Sequence, residues 1–421
     1  MTETDTTPIP LHDLTWWKRP AAERDADFAA IRRERPRMFV PIGPASDSGK
    51  AKGFYAITTY EDVLEVSRRP EDFSSGIGGT QIFEQPAELR AYRGSIIDMD
   101  NPEHARLRKI VSRGFTARNL ASLRDEIEDV VSEILDEMPQ SGECDFVSSF
   151  AALLPLRIIN SLLGIPREHE QFILDATNII LGASDAEYIA DQSAAGINAA
   201  VTEASKGLID LLDSLSTERI ADPQDDLISQ LVAAKGEENL TPAEMARFFI
   251  LLVGAGNETT RNVISHGLYV LTQHSEQRDR WLADYEEYAS RAIEEMLRWA
   301  TPVIHFRRTV ARDGVMLGDL EFSAGDKVVM WYTSANRDET VFDNPYEFDI
   351  TREENPHVAF GGAGAHFCLG AHLARLELDV AFRMLFERFP DIHSVGEPDR
   401  LNSNFLNGIK HLRAEYTSVT K

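Results

Sequence analysis

Apolar residues recur along most of this chain at the three-to-four-residue spacing of helices, and alternate as in strands only in a few short runs. From Pro102 to about residue 300 the helical spacing is almost unbroken. Helix starts are predicted at Pro102, with Asn101 as cap, and at Thr116, Pro166 and Asp222. Thr241-Pro242-Ala243-Glu244 has the form of a capping box. Strand-like runs at 38–40 and 54–58, separated by polar and glycine-containing residues, predict a hairpin. Further runs at 303–310 and 327–332 follow Pro302, and a Pro- and Asp-rich irregular stretch covers 338–356. Residues 74–97 form a long loop in which Gly76, Gly78, Gly79 and Gly94 are mixed with Ile77, Ile82, Phe83, Ile96 and Ile97. Such a loop is either a connector or functional. The predicted fold is mainly α with a minor β portion. No composition shift marks a linker, so 21–421 reads as a single large domain behind a loose tail, 1–20, on which Trp16 and Trp17 are expected to dock.

The stretch Ala359-Phe360-Gly361-Gly362-Ala363-Gly364-Ala365-His366-Phe367-Cys368-Leu369-Gly370 reads as a glycine loop running into a helix, whose apolar stripe is Leu373, Leu376, Val380 and Met384. Cys368 then stands at or just before a helix N-terminus, where free N–H groups and the helix dipole lower a thiol's pKa. A thiolate held there is a metal ligand or a nucleophile. An inert buried cysteine in a capping loop is the plainer reading of the same residue.

In the helix beginning at Thr241, the residues Met245, Phe249, Leu252, Gly256, Thr259 and Val263 share one face. Gly254-Ala255-Gly256-Asn257-Glu258-Thr259-Thr260 interrupts it with two glycines, each costing about 1 kcal/mol in a helix, followed by an acid and two hydroxyls. A threonine bonding back to its own helix explains one hydroxyl. The combination reads as a groove for a small ligand, with Glu258 and Thr259 as a proton relay. In Glu294-Glu295-Met296-Leu297-Arg298, Glu295 and Arg298 lie one turn apart and can pair, as they also would on a solvated helix. His104 and Arg108, also a turn apart, can clamp an anion or form an ordinary basic face.

Composition limits the partners. Forty-three basic against sixty-nine acidic residues give a net charge of −26, which argues against nucleic acid as a general partner. Two cysteines, Cys144 and Cys368, make no disulfide framework and fit a reducing compartment. The start is polar and acidic without a signal pattern. The longest apolar run, 248–255, is far short of the roughly 20 residues that span a bilayer. A cytoplasmic protein with no stable membrane insertion is expected.

Taken together, the His104/Arg108 helix, the Ala255-to-Thr260 segment, the Glu295/Arg298 pair, Phe348-Asp349-Ile350-Thr351-Arg352 and the glycine loop before Cys368 resemble the motifs of the cytochrome P450 family, in order and at similar spacings over nearly the whole chain. The resemblance implies heme b as cofactor, with Cys368 as the axial thiolate and metal ligand, because a thiolate pushes electron density that favours O–O cleavage. It implies that His104, Arg108, Arg308 and His366 hold the heme propionates. Of the tandem Arg307-Arg308, the register of Arg308-Thr309-Val310-Ala311-Arg312-Asp313 favours the second. Glu295, Arg298 and Arg352 would form a buried scaffold, and Glu258 and Thr259 the acid–alcohol pair that delivers protons. One departure stands out: Gly361 occupies the place, seven before the cysteine, where the family usually has an aromatic residue, and Phe360 stands eight before. The loop carries one extra residue.

A monooxygenase using O2 and two electrons is implied. Nothing in the chain resembles a fused reductase, so a separate ferredoxin and its reductase are expected, with Arg106, Lys109, Arg113 and Arg375 as candidate docking residues. Ile82, Phe83, Ile96 and Ile97, Leu252, Val253 and Ala255, and Val303, Ile304 and Phe306 are the candidate pocket residues, and their apolar character suggests a large hydrophobic substrate. Residues 302–338 and 405–410 are similar to actinobacterial enzymes that hydroxylate sterol side chains and methyl-branched lipids at or near the chain end. A smaller terpenoid or secondary metabolite is the alternative substrate. A peroxide-driven member of the family would usually lack the acid–alcohol pair. From another class, His366, Cys368 and His372 as a structural zinc site would be a poor ligand set with only one cysteine.

Overall fold

The computed structural model describes residues 9–45, 51–84, 94–112, 117–234 and 239–417. The elements begin with α1 (Leu14–Trp17), α2 (Ala21–Glu34), β1 (Phe39–Ala45), β2 (Ala51–Ile57), α3 (Tyr60–Arg68) and β3 (Phe73–Ser74). The helical middle follows as α4 (Glu103–Val111), α5 (Ala117–Glu137), a short strand β4 (Ser141–Asp145), α6 (Leu153–Leu163), α7 (Glu170–Leu181), α8 (Ala194–Ala221), α9 (Leu227–Ala233), α10 (Pro242–Gln273), α11 (Ser275–Ala283) and α12 (Tyr285–Ala300). The last third contains β5 (His305–Val310), β6 (Val315–Leu317), β7 (Leu320–Phe322), β8 (Lys327–Trp331), α13 (Tyr332–Ala335), α14 (Ala371–Arg388), β9 (His393–Ser394), β10 (Asp399–Arg400), β11 (Ile409–His411) and β12 (Arg413–Thr417). The expected predominance of helix over strand is observed.

The long helix α10 organises the rest. Its start is the expected capping box: the Thr241 hydroxyl accepts from the Glu244 N–H at 3.2 Å, and the Glu244 carboxylate accepts from the Thr241 N–H at 2.8 Å. At 1.5 Å per residue it runs ~48 Å, uninterrupted through Gly254 and Gly256. One part of it, with Val263, Ile264 and Leu268, joins a core shared with α12 and α14, while Phe248, Phe249 and Val253 join a second core with α6 to α9. The expected start at Asp222 is corrected: Asp222 caps the C-terminus of α8, and Asp226 takes the next start by accepting from the Ser229 N–H at 2.7 Å. Pro102 is itself the cap of α4 rather than its first residue, and Thr116 lies outside the described residues.

The main sheet has the order β1-β2-β8-β5-β3, with β2 and β8 parallel and the other pairs antiparallel. The expected hairpin is β1–β2. Against this sheet Trp16 and Trp17 are buried, and Trp17 stacks on Trp331 at 5.5 Å. Among the described residues no helix is long and apolar enough to cross a membrane.

Candidate active site

A cavity lies where α10, α12, the end of α3, the start of β5 and the glycine loop meet. Its walls are Ile96 and Ile97, then Phe248, Leu251, Leu252, Ala255, Gly256, Thr259, Thr260 and Val263 from α10, Leu297 from α12, and Pro302, Val303 and Phe306. The glycine loop with Cys368 closes one side, and His104, Arg108, Arg308 and His366 border it. Glycine is required in that loop where it passes α3: Gly364 has a φ of +149°, and a Cβ there would come within 2.3 Å of the Ser67 carbonyl oxygen.

Cys368 precedes α14, with Gly370 as helix cap. Its N–H donates to the Phe360 carbonyl at 3.0 Å. Burial pushes its thiol pKa up, and the Gly370 N–H and the Arg108 and Arg375 charges only partly oppose this. Its side chain opens onto the cavity and is enclosed by protein on its other sides. The helix start therefore does not by itself produce a thiolate here. Desolvation outweighs it.

Among the described residues no carboxylate forms an ion pair with Arg108 or Arg308, although the charges of Asp100 and Asp98 act on Arg308. Arg308 is buried and, among the described residues, donates only to the Arg307 carbonyl, at 2.9 Å. Arg108 donates to the Phe367 carbonyl at 2.6 Å. The His104 and His366 rings lie 4.2 Å apart, and His104 Nε2 is buried without a partner. Burial, then the charges of Arg308, His104 and Arg108, hold the His366 pKa at about 3. The nearest acids are occupied: Asp98 accepts from the Thr80 N–H and hydroxyl, and Asp100 from the Ser75 and Gly76 N–H groups. Strand alternation explains the tandem arginines. Arg308 faces the cavity, whereas Arg307 points the other way and donates to the carbonyls of Ile77, Gly79 and Ile82.

The structure does not bring Glu258 and Thr259 together. Thr259 lines the cavity and donates to the Ala255 carbonyl at 2.8 Å. Glu258 is buried on another side of α10, paired with Arg261 at 2.5 Å, and Arg261 also donates to Asn178 on α7 at 2.9 Å. Burial raises the Glu258 pKa and Arg261 opposes.

Four expected pocket residues lie off the cavity wall. Ile82 and Ile304 are buried with Trp16, Trp17 and Trp331. Phe83 is half exposed, with its ring edge-on to His12. Val253 packs in the α6-to-α9 core. Ile96, Ile97, Leu252, Ala255, Val303 and Phe306 do line the cavity.

Sequence reading missed Glu377. It is buried on α14, borders the cavity and accepts from Thr260, and burial pushes its pKa up to about 8. The available signal was an acid within the apolar stripe Leu373, Val380, Met384. Phe248 and Leu251 were missed because the cavity face of α10 keeps Leu252, Gly256, Thr259 and Val263 of the stripe read in the sequence but is wider than it on the side of these two residues.

Of the proposed docking residues, Arg375 is bound through both nitrogens to Glu294 and Arg106 pairs with Glu244. Lys109 is exposed, and Arg113 lies outside the described residues.

The protein is mainly helical, with a chamber lined largely by apolar residues, a cysteine facing it, and two arginines at its border that form no ion pair among the described residues. The family profile Cytochrome P450 matches residues 49–414, and the chain belongs to that family as a monooxygenase. It is similar to the methyl-branched lipid omega-hydroxylase of Mycobacterium tuberculosis, at 45% identity over 96% of this chain and 94% of that one. It is similar to the steroid C26-monooxygenase of Rhodococcus jostii, at 40% identity over 94% of this chain and 82% of that one. A solved Mycobacterium marinum cytochrome P450 in complex with pseudoionone superposes with a TM-score of 0.90 at 38% identity, covering 98% of this chain and 100% of that one. Membership implies a heme held by a cysteine thiolate. The residues present fit that group: the buried His104 Nε2 and the guanidiniums of Arg108 and Arg308, which have no acidic hydrogen-bond partner among the described residues, suit two carboxylates.

Proposed function

We propose that this enzyme hydroxylates a large hydrophobic substrate, a methyl-branched lipid or a sterol side chain, at or near the chain end, taking electrons from a ferredoxin. The observation that carries the substrate reading is the apolar part of the chamber wall, built from Ile96, Ile97, Phe248, Leu251, Leu252, Ala255, Val303 and Phe306. Such a surface recognises shape and excludes water, and the polar groups of the chamber lie apart from it, in the cationic border and in Thr259 and Thr260. The lipid and steroid activities of the similar enzymes support the same class.

Cys368 is the proposed axial ligand and His104, Arg108, Arg308 and His366 the propionate clamp. The heme, when bound, supplies the oxygen activation. The chain's residues do the rest. The clamp orients the group by charge-assisted hydrogen bonds, the α10 wall holds the substrate carbon, and the Thr259 hydroxyl, one bond from the cavity, is placed to hold a proton there. Glu258 reaches this path only after its Arg261 pair opens. A smaller terpenoid is the alternative substrate, supported by the similarity to the pseudoionone-bound enzyme.

The test is optical. The reduced, carbonyl-treated enzyme should show a red-shifted thiolate-type Soret band that Cys368→Ala abolishes. The ferric enzyme should shift its Soret band with a methyl-branched fatty acid or a sterol. A missing thiolate-type band refutes the ligand, and a shift with pseudoionone alone replaces the lipid by the smaller substrate.

A further inference from the structure

Glu294 and Glu295 are adjacent on α12 and hold different parts of the chain. Glu295 accepts from Arg298 at 2.6 and 2.8 Å, from the Asp349 N–H at 3.0 Å and from Asn355 at 3.0 Å, and so fastens the irregular segment after α13. Glu294 faces the glycine loop. Its carboxylate accepts Arg375 Nε at 2.5 Å, Arg375 Nη2 at 2.8 Å and His357 Nε2 at 3.0 Å. His357 stands three residues before Phe360, and its Nδ1 accepts the Ala359 N–H at 3.2 Å, which leaves the ring proton on Nε2 for Glu294. Arg375 stands seven residues after Cys368. Its guanidinium carbon lies 4.5 Å from the Phe360 ring centroid, and the His357 and Phe360 rings are 5.9 Å apart. One carboxylate therefore ties the chain on both sides of the loop, with Phe360 between the two tethers and the Phe360 carbonyl receiving the Cys368 N–H.

Burial raises the Glu294 pKa, but the Arg375 and His357 bonds outweigh it and hold the carboxyl at about 2, so the tether stays ionised at neutral pH. Arg375 is thereby committed to the loop and is not a free docking cation.

We propose that Glu294 is a positioning residue for the cysteine loop: through His357 and Arg375 it fixes Phe360 against the Cys368 backbone and keeps the thiolate in register with the bound group. The proposal rests on Cys368 as ligand. The extra loop residue motivates it, because Gly361 at a φ of +86° leaves the aromatic residue one place further from the cysteine and in need of its own fastening.

The test uses the heme-loaded enzyme reduced with dithionite, so that no protein donor takes part. Glu294→Ala and Arg375→Met should each lose the thiolate-type carbonyl band about fivefold faster than wild type or more, the factor that follows from losing one or two kcal/mol. The double variant should decay no faster than the worse single variant, because both act through Phe360. Glu294→Gln, which keeps the shape and an acceptor, should recover part of the lifetime. In the heme-free protein, deuterium uptake over 357–369 should rise in both single variants. That readout stands even if Cys368 is not the ligand, so failure of the ligand reading and failure of the clamp are distinguishable. Removing opposite charges by itself would move the midpoint potentials in opposite directions without changing exchange. That pattern overturns the proposal, as do wild-type band lifetimes in both variants, or an Arg375→Met variant impaired only with a protein donor.

Discussion

Leu252 and Val253 are neighbours in sequence and serve different surfaces, because one residue turns a helix by about 100°. Leu252 faces the cavity, and Val253 is fully buried in the α6-to-α9 core. Substitutions should separate the two roles. Ala255→Phe, which pushes a ring into the cavity, should weaken the lipid-induced Soret shift by roughly tenfold or more, an overpacking cost of ~1–3 kcal/mol. Val253→Ala should leave that titration unchanged and lower unfolding stability by about 2 kcal/mol. The same rotation explains why the acid and alcohol read as a pair do not meet. Sequence order made Glu258 and Thr259 adjacent, and the helix sends one to Arg261 and the other to the cavity. Cys368 stood out from the glycine loop and helix start around it, and Arg308 and His366 were singled out through the resemblance to the cytochrome P450 motifs. Glu377 was not singled out, since only the crossing of α14 and α10 gives it Thr260 as a partner.

At the scale of elements, the loop after β3 was legible only as long and apolar, and residues 85–93 lie outside the described residues. Its described part is held from β5. Arg307 donates to the Gly79 carbonyl at 3.1 Å and to those of Ile77 and Ile82, and Thr309 donates to the Ile77 carbonyl at 2.7 Å. Asp98 then links Thr80 to the turn carrying Ile96 and Ile97, so this part of the cavity wall is held from the same strand that contributes Phe306 and Arg308. Gly78 makes the approach possible: its φ is +78°, and a Cβ there would lie 2.3 Å from Arg307 Nη2. Gly78→Ala and Arg307→Ala should both raise the substrate's Kd and KM while heme content stays at the wild-type level. Unchanged Kd in both would show that the loop sets no part of the wall. Helix starts divide in the same way. Thr241 was legible because a capping box is complete within four residues, whereas choosing Asp226 over Asp222 depended on where α8 ends.

Across the whole molecule, buried titratable groups set how stability follows pH. His266 Nε2 donates to the Asn407 carbonyl and His305 Nδ1 to the Asn404 carbonyl, each at 2.9 Å, and burial pushes their pKa values to about 3 and about 4. Both fall below the 6.5 of an exposed histidine, so the unfolded chain binds more protons between those limits. Their contribution is full above pH 6.5 and is lost as pH falls toward 4 and 3. Glu377 has the opposite sign. With its pKa raised to about 8, its contribution is full below the ordinary 4.5 and is lost as pH rises toward 8. Denaturant unfolding should lose roughly 2 kcal/mol per histidine between pH 7 and pH 5, and Glu377→Gln should gain stability over wild type more at pH 8 than at pH 5. A Glu377→Gln difference independent of pH would place that carboxyl in water. By itself the sequence determined the family and the mainly helical architecture, because helical periodicity and ordered motifs are written along the chain, and through that resemblance it pointed to the cysteine loop and the clamp residues. Only the tertiary structure decided which apolar residues line the cavity, that Glu258 is held by Arg261, and that Arg375 belongs to Glu294 and Phe360. Each of those depends on side chains far apart in the chain competing for one partner, and that competition is settled by packing.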